Sequence, residues 1–183
     1  MQAAPDGALA QAYIPLQREI LWVAEGDAGA VALGGGIAVT VAHAKPLVPS
    51  DKVIGTSTDY DLMFFRTDHD GVALPIDEPR VGTKVVSYAH YEDEFYRAQG
   101  TIIALDAPVK ARCETCVIQA TLAFDGNAGP GYSGGPVVDA QTGKLLGIVF
   151  GYIDKPEGGR TIYAYPMSRV FEELKKIQAR KTS

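Results

Sequence analysis

The chain has 183 residues, a formal net charge of −5 at pH 7 and a hydrophobic content of 46 %. A chain of this size hides roughly 70 % of the surface that its unfolded form exposes, so a substantial core is expected. Because acidic and basic residues are mixed without a block of one sign, nucleic acid is not expected as a partner. The longest apolar stretches are rich in glycine and too short to cross a bilayer, so no membrane span is predicted.

Most of the sequence has the pattern of short strands. Segments rich in Val, Ile, Thr and aromatic residues alternate with Gly, Pro, Asp and Asn, which is typical of an all-β sandwich or barrel. The predicted strands lie at 18–24, 29–33, 36–42, 61–66, 83–89, 95–105, 116–122, 135–139, 144–152 and 160–165.

The C-terminal segment differs, because its apolar residues recur with the spacing of a helix that buries one stripe. The predicted stripe contains Val170, Phe171, Leu174 and Ile177. The charged residues Glu172, Glu173, Lys175 and Lys176 are predicted on the opposite face. We therefore expect a C-terminal helix packed on a β body.

The segment 75–82 interrupts the strand pattern near the middle of the chain with two prolines, charged residues and a glycine. It predicts a boundary between an N-terminal half at about 14–76 and a C-terminal half at about 82–166. With a helix at about 167–180, these halves are expected to form a single domain over residues 1–182.

One glycine-rich stretch, Gly129-Pro-Gly-Tyr-Ser-Gly-Gly-Pro-Val-Val138, contains a candidate nucleophile, Ser133. A serine between glycines can lie on a tight turn with its hydroxyl exposed and with backbone N–H groups converging on one point. Such N–H groups stabilise the oxyanion that forms when a hydroxyl attacks a carbonyl. By itself, the motif favours a glycine-rich turn in which the serine is incidental.

Serine attack needs a general base, and His43 follows the apolar segment 39–42. A third group, Asp61, directly precedes the apolar run 62–65. A carboxylate partly buried beside a strand needs hydrogen-bond donors, and an imidazole N–H is one such donor. Asp59, two residues earlier, is a rival for this role.

These three segments, in the order His, Asp, Ser, resemble the trypsin-like serine peptidase family. Thr40-Val-Ala-His43 is similar to its Thr-Ala-Ala-His block, Asp61-Leu-Met-Phe-Phe65 to its Asp-Leu-Ala-Leu-Leu block, and Gly131-Tyr-Ser-Gly-Gly-Pro136 to its Gly-Asp/Asn-Ser-Gly-Gly-Pro block. The segments 143–149 and 161–166 look like the family's strands after the nucleophile.

The resemblance extends over roughly residues 18–175. Within it, Val81-Gly-Thr-Lys-Val-Val-Ser-Tyr88 is similar to the opening of the second barrel in the bacterial HtrA-like branch. No PDZ-like module follows, so an HtrA-type oligomeric chaperone is not expected.

The resemblance implies an all-β fold of two packed six-stranded Greek-key barrels with a C-terminal α-helix. It implies a serine endopeptidase in which His43 is the general base and then acid, Asp61 orients it, and Ser133 is the nucleophile. The backbone N–H groups of Gly131 and Ser133 would form the oxyanion hole. Peptide bonds of protein or peptide substrates would be hydrolysed through an acyl-enzyme, with no metal or organic cofactor.

The family's primary specificity pocket corresponds here to Asn127, Ala128, Tyr152 and Thr161. None of these residues is charged. Because a buried Lys or Arg side chain of a substrate would lack a partner, small, polar or aliphatic substrate residues are favoured.

Three departures from the family pattern keep a second interpretation open. Only 18 positions separate His43 from Asp61, so the first barrel must be short. Tyr132 replaces the Asp that binds a freed N-terminus in digestive relatives, and Phe150 stands where many relatives place a Ser that contacts the catalytic Asp. The alternative is a catalytically inactive peptidase-fold protein that binds peptides or a partner protein.

Cys113 and Cys116 lie two residues apart in Cys-Glu-Thr-Cys. A local disulfide or a pair of free thiols is favoured over a zinc site, because no further ligands of the Cys or His type lie nearby. Both cysteines are predicted to be dispensable for catalysis. The sequence leaves the compartment undetermined and favours a secreted or periplasmic location.

Overall fold

The computed structural model describes residues 7–20, 23–69, 73–91, 94–110 and 117–182. Cys113 and Cys116 lie outside these residues, and so do the predictions made for them. The first helix, α1, is Gly7–Ala12 and the last, α2, is Met167–Lys181. The strands are β1 (Tyr13–Ile20), β2 (Val23–Gly34), β3 (Ile37–Thr40), β4 (Val53–Thr56), β5 (Met63–Arg66), β6 (Lys84–Tyr91), β7 (Glu94–Lys110), β8 (Val117–Gly126), β9 (Pro136–Asp139), β10 (Leu145–Asp154) and β11 (Arg160–Pro166).

The C-terminal half is a closed six-stranded antiparallel barrel with the strand order β10-β11-β8-β7-β6-β9. Alternate residues of these strands point inward, which gives the barrel an apolar centre. Fully buried members of this core include Ile102, Phe124, Leu146 and Ile162. The predicted all-β fold, with a barrel in this half and a C-terminal helix, is confirmed.

The N-terminal half has fewer strands than the resemblance implies. Its described residues form a five-stranded antiparallel sheet in the order β1-β2-β3-β5-β4, where a six-stranded barrel was predicted. The short connection from His43 to Asp61 explains the difference, because it holds two 3₁₀ helices, Ala42–Leu47 and Ser50–Lys52, and only the four-residue strand β4. At the opposite edge, β1 contains Pro15, whose missing N–H suits an edge strand.

Helix α2 packs across the junction of the two halves. Its apolar residues Val170, Leu174 and Ile177 join a buried cluster that also contains Leu62 and Phe64 from around β5. Two side chains differ from the predicted pattern, because Phe171 is 36 % exposed whereas Glu173 is completely buried. Within the ranges given above, the structure contains no helix long and apolar enough to cross a membrane.

Candidate active site

His43 and Asp61 meet at one end of the N-terminal sheet. Strands β3 and β5 are antiparallel and pair Thr40 with Met63, so the segment that follows β3, which contains His43, lies beside the segment that precedes β5, which contains Asp61. Asp61 Oδ2 lies 2.5 Å from His43 Nδ1, and Asp61 Oδ1 accepts the backbone N–H of His43 at 2.9 Å. Because a carboxylate only accepts, the neutral imidazole carries its proton on Nδ1 and leaves Nε2 as the acceptor.

Asp59, the rival acid, lies elsewhere. Its side chain is exposed, and its backbone N–H donates to Ser57 Oγ at 3.2 Å. The hydrogen bond to Glu173 is the main cause that raises the pKa of Lys176, on helix α2, and the charge of Asp59 makes a smaller contribution. The structure therefore places Asp61 on the imidazole and Asp59 on the side of α2.

Asp61 is supported from behind by Tyr165 of β11. The backbone N–H of Asp61 donates to Tyr165 Oη at 3.0 Å. Tyr165 is completely buried, and burial raises the pKa of its phenol, so the hydroxyl stays neutral. Phe150 stacks on the Tyr165 ring with centroids 4.2 Å apart. Phe150 thus contacts the residue that supports Asp61. Sequence analysis did not identify Tyr165, because the alternation of apolar residues in its segment predicts only that its side chain points inward from a strand.

Ser133 lies in the loop between β8 and β9, against the N-terminal half. Its carbonyl accepts the N–H of Gly29, in β2, at 2.8 Å. The next residue, Gly134, has φ +80°, and a Cβ there would overlap the Gly29 carbonyl oxygen and Thr40 Oγ1. The loop therefore lies beside Thr40, three residues before His43. In the described part of the chain, no hydrogen bond joins Ser133 Oγ to His43.

The candidate oxyanion donors are the N–H groups of Gly131 and Ser133. No hydrogen bond among the described residues uses either group. Gly131 has φ +86°, a conformation that favours glycine. Tyr132, between them, is buried in the barrel core, and burial raises the pKa of its phenol to about 12. The loop thus places the Tyr132 side chain in the core, and the backbone N–H groups of the two flanking residues remain available as hydrogen-bond donors.

The predicted pocket residues lie around the end of the β10–β11 hairpin. Ala128 is buried and Tyr152 is 38 % exposed. Asn127 is exposed, and its Oδ1 accepts the backbone N–H of Gln99 at 3.1 Å. Thr161 Oγ1 donates to Asp125 Oδ1 at 3.3 Å. The structure thus uses the polar groups of Asn127 and Thr161 in local hydrogen bonds.

Arg160 connects the loop at Ala128 with strand β10 in this region. Sequence analysis did not identify this charged residue. Its Nη1 donates to the Ala128 carbonyl at 3.2 Å, and its Nε donates to Asp154 Oδ1 at 2.7 Å. Its guanidinium lies 4.6 Å from the centre of the Tyr152 ring. The hydrogen bond to Asp154 raises the pKa of Arg160, which stays charged. No spacing in the sequence shows this convergence, because it depends on how the hairpin folds over the loop at Ala128.

Within the residues that the structure describes, no three His, Cys, Asp or Glu side chains gather where they could hold a metal ion. The groups of this region that can take part in chemistry include the His43–Asp61 pair, Ser133 and the backbone donors beside it.

Comparison with solved structures gives the same fold. The MamO protease domain from Magnetospirillum magneticum has a TM-score of 0.73 and 19 % identity, over 90 % of this chain and 96 % of that one. The active form of the Rv3671c protease from M. tuberculosis has a TM-score of 0.73 and 16 % identity, over 93 % and 82 %. The HtrA-type protease AlgW with a tripeptide has a TM-score of 0.73 and 20 % identity, over 93 % of this chain and 61 % of that one.

No curated protein sequence matches the chain. The model of the trypsin-like peptidase domain family matches residues 23–148, which is more than half of the chain. That region contains His43, Asp61 and Ser133. The chain belongs to the trypsin-like peptidase family.

Proposed function

We propose that this member of the family is an active serine endopeptidase that uses Ser133, His43 and Asp61. The observation that carries the proposal is the double contact of Asp61 with His43, at 2.5 Å to Nδ1 and 2.9 Å to the backbone N–H. It fixes both the tautomer and the orientation of the imidazole, which a general base requires.

In the proposed reaction, Ser133 Oγ attacks the carbonyl carbon of the scissile peptide while His43 Nε2 takes the hydroxyl proton. The oxyanion accepts hydrogen bonds from the free N–H groups of Gly131 and Ser133. His43 then gives its proton to the leaving amine, and the acyl group stays on Ser133. Water, deprotonated by His43, releases the acid and restores the serine. Residues 127, 128, 152 and 161 are proposed to line the pocket for a small, polar or aliphatic substrate side chain.

A second candidate is a peptide-binding protein of the same fold without turnover. The absence of a hydrogen bond between Ser133 Oγ and His43 in the described part of the structure favours it. That bond is often long in enzymes without substrate and shortens when substrate binds, so the proposal of an enzyme is retained.

A phosphonate that phosphonylates the hydroxyl of an activated serine, with loss of its own leaving group, separates the two candidates. We expect stoichiometric labelling of the wild-type protein, with the adduct located on Ser133 by mass spectrometry. Ser133→Ala and His43→Ala should remain unlabelled and folded. A wild-type protein that binds peptides but is not labelled would favour the binding protein.

A further inference from the structure

Glu173 of α2 is a buried carboxylate whose two oxygens both have partners. Its side chain is completely buried. Oε1 accepts from Lys176 Nζ at 3.0 Å, and Oε2 accepts from Ser57 Oγ at 2.8 Å. A buried carboxylate without partners costs several kcal/mol. Loss of the hydrogen bond from Ser57 would therefore destabilise the folded protein.

The Ser57 hydroxyl makes several of the hydrogen bonds in the loop that leads to Asp61. Because a carboxylate cannot donate, the Ser57 hydroxyl gives its only proton to Glu173 and turns its lone pairs toward the loop. Those lone pairs accept the backbone N–H groups of Asp59 at 3.2 Å and Tyr60 at 3.1 Å. Glu173 thus sets the direction of the hydroxyl that holds this turn.

The same turn is closed directly around Asp61. The Ser57 N–H donates to the Leu62 carbonyl at 2.9 Å, and the Leu62 N–H donates to the Tyr60 carbonyl at 2.8 Å. Asp61 lies between these bonds, and its carboxylate meets His43 at the open side of the loop. A shift of this turn would therefore move the Asp61 carboxylate relative to the imidazole.

We propose that Glu173 and Ser57 are positioning residues for the reaction, through which helix α2 holds Asp61 against His43. This inference rests on the proposed function. It adds a role for a helix that lies behind the site and contacts none of the reacting atoms.

The test removes each partner of the bond and then restores it in part. Ser57→Ala deletes the hydroxyl, and Glu173→Met keeps the length of the side chain without its oxygens. Ser57→Thr and Glu173→Gln keep a hydroxyl and an acceptor, respectively. Glu172→Met is the matched control, because Glu172 is the adjacent carboxylate on the exposed face of the same helix, where it bonds Arg169 and lies 3.7 Å from Lys176, so its removal leaves the bond between Glu173 and Ser57 in place.

Three quantities are measured on the full chain: the rate of phosphonate labelling, kcat and KM on a cleaved peptide, and the downfield ¹H resonance of the proton between His43 and Asp61. We expect Ser57→Ala and Glu173→Met to lower kcat and the labelling rate about 10- to 100-fold, as small misplacements of catalytic groups do. KM should change by less than about threefold, and the resonance should broaden or shift. The two conservative variants should recover most of the rate, and Glu172→Met should match the wild type.

Unchanged labelling and an unchanged resonance in folded Ser57→Ala would overturn the inference. If Glu173→Met does not fold, Ser57→Ala and Glu173→Gln carry the test, because one removes the bond and the other retains it. A wild-type protein that is never labelled would refute the proposed function. In that case, the resonance still reports whether the bond positions Asp61, so the two failures are distinguishable.

Discussion

Asp61 holds His43 at two points, with one carboxylate oxygen on the imidazole Nδ1 at 2.5 Å and the other on the backbone N–H at 2.9 Å. A single bond would leave the imidazole free to rotate about the contact. Two bonds from one carboxylate fix the ring relative to its own backbone, which is the preorganisation that a general base needs.

Replacing Asp61 by Asn should leave His43 in the wrong tautomer, because an amide N–H would face Nδ1 and require it to accept. We expect kcat to fall by about 10⁴, as the same change does in the family's reference enzyme. Asp59→Asn is the control and should stay within about threefold of the wild type, since Asp59 is exposed on the side of α2. Equal losses in the two variants would refute the assignment of Asp61.

Tyr165→Phe should weaken the support behind Asp61. The change removes the oxygen that accepts the Asp61 N–H at 3.0 Å and leaves the ring stacked on Phe150. An N–H left without its acceptor costs about 1 to 3 kcal/mol, measured as the free energy of unfolding in urea. Phe150→Leu is the companion variant, because it removes the stacking and keeps the hydroxyl. An unchanged unfolding free energy for Tyr165→Phe would show that the bond contributes nothing.

Gly134→Ala should be far more damaging than the same change at Gly143. Both glycines have positive φ, +80° and +72°, so both variants carry the strain of a left-handed alanine, about 1 to 2 kcal/mol. Only Gly134 lies against the Gly29 carbonyl and Thr40, whereas a Cβ at Gly143 meets nothing within 4 Å. We expect Gly134→Ala to lose phosphonate labelling and Gly143→Ala to retain it. Labelling of both at the wild-type rate would show that the loop does not need this close approach.

Alkaline pH should destabilise the protein through Tyr132. Its pKa is about 12 in the folded protein, against 10.0 in the unfolded chain, because burial disfavours the phenolate. Below pH 10 the phenol is neutral in both states and the stabilisation is complete. Between pH 10 and 12 the unfolded chain loses the proton first, so the free energy of unfolding falls as pH rises.

At pH 11, midway between the pKa of Tyr132 in the unfolded chain and its pKa in the folded protein, the loss attributable to Tyr132 should be about 1.4 kcal/mol, because a tenfold change in proton affinity corresponds to about 1.4 kcal/mol. Urea unfolding of the wild type and of Tyr132→Phe at pH 8 to 11 measures it. The Phe variant should show a shallower decline, although Tyr13 and Tyr165, whose pKa values burial also raises, contribute with the same sign. Identical slopes for the two proteins would contradict the assignment to Tyr132.

The sequence by itself determined the all-β class, the C-terminal helix and the family, because these depend on local patterns. Alternation of apolar residues marks strands, helical spacing marks α2, and the glycines around Ser133 mark a turn that few other residues can form. The resemblance of three segments to the trypsin-like family also predicted His43, Asp61 and Ser133 as a group, with Asp59 as a rival of Asp61.

Tertiary structure alone decided which aspartate contacts His43 and what supports it. On a strand, residues 59 and 61 would point to the same face, so the sequence alone does not separate them. The turn that is held by Ser57 and Glu173 directs the two side chains to different sides. Helical spacing predicted that Glu173 lies on the charged, exposed face of α2. That spacing cannot show that the loop containing Ser57 packs over Glu173 and donates a hydrogen bond to its carboxylate. The open five-stranded N-terminal sheet and the contact of Arg160 with Ala128 likewise result from pairings between residues distant in sequence, which local periodicity does not encode.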